Sequence, residues 1–414
     1  MFNNRTRYSW IVKSLAVLAA FAAFALNYSP VMQSVRQMPG VYYADSGEEL
    51  AGLLSSFELP KGLSAAAYGS SDESLACSDY TVEYRLFGFI PLKRSRAHVG
   101  ERAYLVPCGQ SVGISIFTEG VLVVGLGSFS DERGRSVSPA SEAGLRAGDI
   151  ILSADGKSVS DTDMLQSAID SCDGSLRLII ERDGSRRELT VDPVSSGSSG
   201  GLRIGAWIRD STVGVGTLSF YEPETGLIAA LGHAVVDLDT GTLLKVKDGK
   251  LVSADIIGVT KGRAGAPGEL HGVFDKQSEV IGTISCNTEL GIFGFASGEL
   301  QIGSAIPVAF PNEVKTGEAY IISSVDGAGA ACYSCRIIKT GRQNEPEQKG
   351  LVIEITDEVL LEKTGGIVQG MSGSPIIQDG MLVGVVTHVF VNDPRKGYGA
   401  YAYWMYRAFG SGKY

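Results

Sequence analysis

The stretch GGIVQGMSGSPIIQDGMLVGVVTH, residues 365–388, decides the fold of the C-terminal half of the chain. Its second part contains two apolar, β-branched runs separated by Asp-Gly at 379–380, the dipeptide that favours the tight turn of a β-hairpin. Its first part places Ser372 among small residues, between Gly370 and Gly373. Glycines let the backbone turn sharply and leave N–H groups available to a substrate oxyanion. The stretch therefore predicts a β-hairpin that presents an exposed serine.

The size and composition favour a mainly β protein of several domains. A chain of 414 residues can form two or three domains with a substantial core. The 53 glycines and the modest aromatic content of 8% are typical of a turn-rich β protein. The net charge is −10, and the sequence contains no basic block and no aromatic-plus-arginine stripe, so nucleic acid is not an expected partner. Cys332 and Cys335 form a Cys-x-x-Cys pair without a second pair or a neighbouring histidine pair, so no metal site and no cofactor is expected.

Residues 1–30 contain a targeting signal. Basic side chains precede an apolar run from Ser14 to Leu26, which with its flanks is long enough to cross a bilayer. The small-x-small pattern at 23–25 also fits a signal-peptidase site, so a cleaved signal peptide is an alternative. We expect an N-terminal transmembrane helix and a protein that is membrane-anchored or secreted, with the rest of the chain outside the cytoplasm.

A second unit is predicted over residues 104–194, after an N-terminal extracytoplasmic region at 31–103. Residues 143–152 read AGLRAGDIIL and are followed by a tight turn and a helix over 160–169. This pattern resembles an α+β PDZ domain of the permuted kind found in bacterial peptidases. A PDZ domain binds an extended peptide by adding it to a sheet edge. The matching peptide-binding loop is best placed at Ser111, Val112, Gly113 and Ile114.

The remaining chain is predicted to be a peptidase domain. Residues 195–201 read SSGSSGG, the composition of a flexible linker. The domain that follows, residues 202–414, has the size of two packed β-barrels. Its Gly-x-Ser-Gly-x-Pro pattern around Ser372 resembles the nucleophile loop of trypsin-like serine peptidases, which implies a trypsin-like double β-barrel.

A serine nucleophile needs a base, which is usually a histidine oriented by a carboxylate. Of the four histidines, His233 ends an apolar strand, where a rigid sheet can aim its ring. His271 lies in a glycine-rich loop, His388 follows the hairpin strand, and His98 lies in a small basic patch. His233 is therefore the best candidate for the base.

The carboxylate is less well determined. Asp357 follows an alternating strand and precedes a short predicted helix, so it also fits a helix N-cap. Asp237 and Asp239, close after His233, and Asp255 are alternatives. Spacing alone gives Asp357 only a slight preference.

Over nearly its full length the chain resembles the SpoIVB-type (stage IV sporulation protein B) serine peptidases of endospore-forming bacteria. The resemblance is carried by the N-terminal apolar segment, the PDZ unit, the 365–375 stretch, and the segments IRDS (208–211), GVGT (214–217), ALGH (230–233), EITD (354–357) and THVFVNDP (387–394). Position by position it implies Ser372 as nucleophile, His233 as base and Asp357 as orienting acid. The N–H groups of Gly370 and Ser372 are the candidate oxyanion hole.

The resemblance also implies a role in sporulation signalling. Such a peptidase is secreted from the forespore into the space between the two forespore membranes. There it cleaves itself and a membrane-bound inhibitor of an intramembrane protease, which releases processing of a late mother-cell sigma factor. The expected partners are that substrate, the protein's own N-terminal region, a peptide on the PDZ unit, and the membrane through the N-terminal helix.

Two other functions are alternatives to a serine peptidase. A non-catalytic PDZ scaffold that regulates a membrane protease complex is the alternative. An esterase is disfavoured because Ser374 stands where its Gly-x-Ser-x-Gly elbow requires glycine, and because the histidine precedes the serine.

Overall fold

The computed structural model describes residues 27–56, 59–69, 77–197, 200–275, 277–300, 303–341, 343 and 346–410, together with residues 13, 16 and 17. The chain divides into two compact units, residues 1–103 and 104–414.

The N-terminal part of the predicted fold class is corrected. Within the described ranges no helix combines the length and the apolar character needed to span a bilayer, so the predicted transmembrane helix is not seen. Most of the apolar run from Ser14 to Leu26 lies outside the described residues.

The first unit is a small α+β layer. Its elements are α1 (Pro30–Gln37), β1 (Val41–Ala44), α2 (Gly47–Ser56), β2 (Leu63–Gly69), β3 (Cys77–Leu86) and β4 (Ile90–Gly100). The sheet order is β1-β4-β3-β2, with β1 parallel to β4 and the other pairs antiparallel. Buried side chains of both helices and of the sheet, among them Val35, Leu50, Val82 and Tyr84, form its core.

The second unit is mainly β. Its strands are β5 (Tyr104–Pro107), β6 (Ser111–Leu126), β7 (Phe129–Ser130), β8 (Ser136–Val137), β9 (Ile150–Ala154), β10 (Lys157–Ser158), β11 (Leu176–Arg182), β12 (Ser185–Val191), β13 (Val194–Ser195), β14 (Leu202–Arg203), β15 (Ala206–Tyr221), β16 (Leu227–Ala230), β17 (Val246–Ser253), β18 (Asp255–Thr260), β19 (Glu269–Val273), β20 (Val280–Thr288), β21 (Gly291–Ala296), β22 (Ile306–Pro307), β23 (Gly317–Ser323), β24 (Ala331–Thr340), β25 (Leu351–Ile355), β26 (Pro375–Gln378), β27 (Met381–Val389) and β28 (Lys396–Tyr401). Its helices are α3 (Pro139–Glu142), α4 (Thr162–Asp170), α5 (Glu358–Thr364) and α6 (Ala402–Gly410).

The first barrel is a closed circuit of strands. Its order is β6-β17-β20-β21-β16-β15, and β15 pairs back onto β6. The barrel is filled by alternating apolar side chains, as expected when one face of each strand points inward. Those most completely buried include Val112, Ile116, Leu218, Ile228, Ala230, Leu251 and Ile292.

The second barrel contains the hairpin of the stretch 365–388. It closes in the order β23-β24-β25-β28-β27-β26. The predicted hairpin is confirmed: β26 and β27 pair antiparallel, with Gln378 opposite Met381. Asp379 and Gly380 have φ values of +52° and +78°, the left-handed pair that a two-residue hairpin turn requires. The predicted pair of β-barrels is therefore present.

A PDZ-like layer is built onto the first barrel. It consists of β9, β11 and β12 with helices α3 and α4 around one apolar core, which includes Val121, Ile151, Leu165, Leu176 and Leu178. Helix α4 lies where the sequence predicts a helix, and Asp161 caps it by accepting a hydrogen bond from Met164 N–H at 2.8 Å.

The PDZ-like layer and the first barrel share two long strands, which differs from the predicted separation by a linker. In β6, residues 111–118 lie in the barrel and 121–126 in the layer; β15 is divided in the same way between 211–221 and 206–209. Ser195 belongs to β13, which pairs with β14 directly after the segment 195–201. Both layers are therefore parts of one unit, because each uses half of the same two strands.

Candidate active site

The nucleophile loop lies where the two barrels meet. Thr217, fully buried on β15 of the first barrel, donates its N–H to the Ser372 carbonyl at 3.1 Å. Its hydroxyl donates to the Gly370 carbonyl at 2.8 Å. One residue of the first barrel thus holds the backbone on both sides of Met371, through its N–H and its hydroxyl, and sequence reasoning missed it. A polar residue inside the glycine-rich segment GVGT was the available signal.

Gly373 allows this close approach of the two barrels. Its φ is +100°, and a Cβ at this position would lie 2.3 Å from the Thr217 oxygen and 2.7 Å from the Leu231 nitrogen. Any side chain would therefore force the nucleophile loop away from the first barrel. The residue after the serine has to be glycine for steric reasons alone.

The Ser372 hydroxyl is half-buried and donates a hydrogen bond to the Thr387 carbonyl at 2.7 Å. A hydroxyl has a single proton to donate. In this arrangement the proton points at the backbone of β27, so attack on a substrate requires a rotation of the Ser372 side chain toward its base.

His233 follows the end of β16, where Leu231 and Gly232 both have φ of +75°. A Cβ on Gly232 would lie 2.5 Å from a methyl group of Val385 in the second barrel. The chain thus turns against β27 at the point where it presents the imidazole. The predicted base and the predicted nucleophile are both positioned by contacts with the C-terminal half of β27.

The imidazole of His233 is held in one tautomer. Its Nδ1–H donates to the carbonyl of Ala234 at 2.9 Å, since a carbonyl can only accept. Nε2 is then the unprotonated nitrogen, which is the form a general base needs. Burial lowers the pKa of His233 below its usual value of 6.5, and the bond to Ala234 only partly offsets that effect. The ring is therefore neutral at neutral pH.

A second histidine, His388, lies against the base. The ring centroids of His233 and His388 are 5.0 Å apart, with 39° between the planes. Burial, followed by electrostatic interactions with His233 and Lys349, lowers the pKa of His388 to about 4. Within the described part of the chain its buried Nδ1 has no hydrogen-bond partner. The sequence shows that His388 follows the hairpin strand but does not predict that it lies beside His233.

The two predicted oxyanion donors are unused. Among the described residues, neither Gly370 N–H nor Ser372 N–H donates a hydrogen bond, whereas Met371 N–H donates to Val368 and Gly373 N–H donates to Val386. Gly370 has φ of +95°, in the left-handed region. Two free N–H groups that flank one residue can both reach a developing oxyanion.

The structure does not bring Asp357 to His233. Asp357 is the N-cap of α5: its Oδ1 accepts from Leu360 N–H at 2.9 Å and its Oδ2 from Ser334 N–H at 3.2 Å. In the described ranges no hydrogen bond joins it to His233. The role implied by the resemblance stays a prediction, and the observed role is the cap that the sequence pattern also allowed.

The alternative carboxylates have other partners. Asp237 is 1% exposed and accepts hydrogen bonds from Arg209, from the N–H and hydroxyl of Thr240, and from Asp239 N–H. Burial opposes its ionisation, but the bonds to Thr240 and the charge of Arg209 lower its pKa below the usual value. Asp239 pairs with Arg209 at 2.9 Å, and Asp255 is exposed on β18.

The predicted peptide-binding loop has no free edge. Residues Ser111–Ile114 lie in β6 and pair with β15 on one side, where Gly113 faces Val215, and with β17 on the other, where Gly113 faces Val252. A peptide cannot be added to a strand that is already paired on both sides. The segment forms part of the first barrel because β6 continues through both layers.

A groove with a free edge lies elsewhere in the PDZ-like layer. It has a volume of about 460 Å³ and separates α4 from residues 201–208. Ala206–Arg209 pair with β6 through one edge, and in the described chain no strand pairs with the other edge. The groove is lined by Leu165 and Ile169 of α4 and by Trp207, which is 70% exposed. Sequence reasoning missed it because its strand comes after the linker.

Comparison with protein families and solved structures gives the following matches. A family model described as SpoIVB peptidase S55 matches residues 200–406, which is half of the chain, and a PDZ domain model matches residues 133–182. No curated protein matches. The chain is similar to the PDZ domain of an SdrC-like protein from Listeria monocytogenes, with 21% identity over 22% of this chain and 87% of that one and a TM-score of 0.18. It is also similar to the Rv3671c protease in an inactive form, with 15% identity over 48% of this chain and 85% of that one and a TM-score of 0.26.

Both structural similarities are too distant to support an argument, so the assignment rests on the family models. The SpoIVB peptidase model covers β15 onward and includes both His233 and Ser372. The PDZ model covers α3, α4 and the strands between them. The chain therefore belongs to the SpoIVB peptidase S55 family and is a sporulation serine peptidase that carries a PDZ domain.

Proposed function

We propose that this peptidase uses Ser372 as nucleophile and His233 as general base in an endopeptidase reaction. One observation carries the proposal: the serine loop, a neutral imidazole with its Nε2 unprotonated, and two unused N–H groups lie at one junction between the barrels. A non-catalytic scaffold would have no need of unpaired N–H groups beside a serine in a loop held this tightly.

In the proposed mechanism the Ser372 hydroxyl leaves the Thr387 carbonyl and turns toward Nε2 of His233. Its oxygen attacks the carbonyl carbon of the scissile bond while Nε2 takes the proton. The N–H groups of Gly370 and Ser372 stabilise the oxyanion of the tetrahedral intermediate. The protonated His233 then gives its proton to the leaving amine, and water repeats the sequence on the acyl-enzyme.

The third member of a triad has two candidates in this proposal. The resemblance implies Asp357, whose oxygens serve as a helix cap. The observed partner of His233 Nδ1–H is the Ala234 carbonyl, which sets the tautomer in the way that a carboxylate does in other triads. Asp357→Asn separates the two, as described in the Discussion.

We further propose that the groove between α4 and residues 201–208 takes an extended peptide. The free edge of Ala206–Arg209 supplies backbone hydrogen bonds, and Leu165, Ile169 and Trp207 supply apolar contact. Candidate occupants are the protein's own N-terminal region and the tail of a protein substrate.

The biological role is proposed from family membership. We propose that the peptidase acts outside the cytoplasm, in the space between the forespore membranes, and cleaves itself and a membrane-bound inhibitor of an intramembrane protease. That cleavage would release processing of a late mother-cell sigma factor.

A fluorophosphonate probe and mass spectrometry test the proposed chemistry. The wild-type protein should form a covalent adduct on the peptide that contains Ser372 and should produce self-cleavage fragments. Ser372→Ala should lose both while keeping its Tm, since the side chain contributes a single hydrogen bond to a carbonyl. An adduct on another residue, or self-cleavage by Ser372→Ala, would reject Ser372 as nucleophile. A folded wild-type protein that shows neither activity would favour the scaffold.

A further inference from the structure

We infer that Asn287 is a positioning residue for His233, because it fixes the peptide unit to which the imidazole donates its hydrogen bond. The inference rests on the proposed role of His233 as general base. Asn287 would orient the imidazole indirectly, because the candidate carboxylates all have other partners in this structure.

Asn287 is the next-to-last residue of β20 in the first barrel and is 9% exposed. Its Oδ1 accepts a hydrogen bond from Val235 N–H at 2.9 Å. Its Nδ2 donates to the Val235 carbonyl at 2.7 Å and to the Leu244 carbonyl at 2.9 Å. Both donors of the amide and its acceptor oxygen are therefore used on the backbone that follows His233.

One of these bonds acts on the hydrogen-bond partner of the base. The Val235 N–H and the Ala234 carbonyl belong to the same peptide unit, which is planar and rigid. Asn287 holds the nitrogen end of that unit, and the oxygen end accepts the His233 Nδ1–H at 2.9 Å. A rotation of the unit that breaks the Asn287 bond would also turn the carbonyl away from the imidazole.

The bond to the Ala234 carbonyl has two chemical effects. It keeps the proton on Nδ1, so that Nε2 is the base, and its dipole stabilises the imidazolium formed during attack on the substrate. The other groups that affect the ring electrostatically do not supply this stabilisation. His388 on β27 is neutral, and Lys349, which acts on His388, carries a positive charge. Among the described residues, the carbonyl held by Asn287 is the one hydrogen-bond partner of the His233 ring.

A purely structural role for Asn287 has to be separated from this one, because Asn287 also closes the loop from Val235 to Leu244. Gln378 provides a matched control. Its amide is 6% exposed and accepts from Lys315 N–H at 3.0 Å, while donating to the Lys315 carbonyl at 3.0 Å and the Glu318 carbonyl at 3.3 Å. It has the same inventory of bonds in the second barrel, away from the base.

The experiment compares Asn287→Ala, Asn287→Asp and Gln378→Ala in the full chain. The rate of fluorophosphonate labelling is measured as a function of pH, and the His233 tautomer is read from imidazole ¹⁵N shifts. Asn287→Ala should slow labelling roughly tenfold or more, as expected for a misplaced catalytic group. The labelling rate falls at low pH as His233 is protonated, and the midpoint of this fall should move up toward the ordinary histidine pKa. In the wild-type protein burial lowers the pKa of His233, and a loosened loop would admit water to the ring.

The other variants complete the pattern. Asn287→Asp keeps the acceptor for Val235 N–H and should recover part of the labelling rate that the alanine variant loses. Gln378→Ala should lower Tm and leave both the labelling rate and its pH midpoint unchanged.

Three results would overturn the inference. The first is an Asn287→Ala protein that loses stability only, with the rate, pH profile and tautomer of Gln378→Ala. The second needs no variant: a wild-type His233 whose shifts show the proton on Nε2. The third is equal labelling of Ser372→Ala and wild type, which would reject the proposed function and this inference together. A slow Asn287→Ala with normal Ser372 dependence would support both.

Discussion

The two proposed catalytic side chains, Ser372 and His233, are held in different ways. The loop of Ser372 is fixed by close packing and backbone hydrogen bonds between the barrels, through Thr217 and Gly373. The ring of His233 is fixed by a single peptide unit, which a side chain of another strand holds. The nucleophile is therefore set by the way the barrels pack, and the base by the loop that follows it.

That loop connects the base to the PDZ-like layer. Val235 and Leu244 pack against Leu122 and Ile150 of β6 and β9. At its tip, the buried carboxylate of Asp237 binds Arg209, the last residue of the groove edge Ala206–Arg209. The loop that follows His233 thus contacts the strand that lines the proposed peptide groove, whereas the contacts of the Ser372 loop described above lie within the two barrels. Three substitutions test this difference.

Asp357→Asn distinguishes the two outcomes that differ most in kcat. The resemblance implies that loss of the acid would lower kcat by roughly 10⁴. Asparagine is as good an N-cap as aspartate, so this change removes the charge and keeps the cap. Because Oδ1 of Asp357 caps α5 and Oδ2 accepts the Ser334 N–H of β24, we expect a kcat within a few-fold of wild type, measured on a peptide that spans the self-cleavage site.

Asp357→Ala is the control for that substitution. It should lower the free energy of unfolding by about 1 kcal/mol, the usual value of an N-cap. A fall of several orders of magnitude in kcat for Asp357→Asn would instead show that a carboxylate holds the base, which would break the comparison.

Among those of the three substitutions that we expect to lower kcat, Thr217→Val should have the largest effect. It removes the hydroxyl that binds the Gly370 carbonyl and keeps the shape of the side chain. The peptide unit between Gly370 and Met371 then loses its bond to the first barrel, so the loop between the two proposed oxyanion donors is held less firmly. We expect kcat to fall roughly tenfold with little change in KM, since an oxyanion donor acts mainly in the transition state. Thr118→Val, which removes a buried hydroxyl bonded to the Gly120 carbonyl at 2.8 Å, should leave kcat unchanged. Equal loss in both variants would mean a general effect on stability.

Arg209→Met should have the smallest effect. It leaves the buried carboxylate of Asp237 without its cation, which should disturb the tip of the loop that follows His233. We expect kcat to fall by a factor of a few. Arg135→Met removes the arginine partner of another buried aspartate, Asp131, in the same layer, and should leave kcat unchanged. The comparison would need revision if Arg209→Met slowed the enzyme no more than Arg135→Met.

Local patterns in the sequence were sufficient for much of the nucleophile side. The Asp-Gly turn, the strands around it and the free N–H groups beside Ser372 all depend on residues within about twenty positions of each other. Turn chemistry and alternation encode such features directly. The cap at Asp357 was also readable, since the residue stands between a strand and a helix.

The base side was less predictable because its contacts join distant parts of the chain. Asn287 lies more than fifty residues after His233, and nothing around it in the sequence indicates which backbone it binds. The groove was misplaced for a related reason. The strand whose edge is free comes after the Ser/Gly segment, whereas the strand at Ser111–Ile114 is paired on both sides within the first barrel. Composition marks a turn there but cannot show that the strands on both sides belong to one layer.

The shared strands also determine how the protein can be divided. A fragment that begins at residue 202 would contain β15 but lack β6, so the first barrel would be missing one of its strands. The neighbouring strands β15 and β17 would then expose unpaired edges. Removal of residues 104–193 would do the same. Truncations at these points would report aggregation rather than the contribution of the groove, and point substitutions along α4 are the informative alternative.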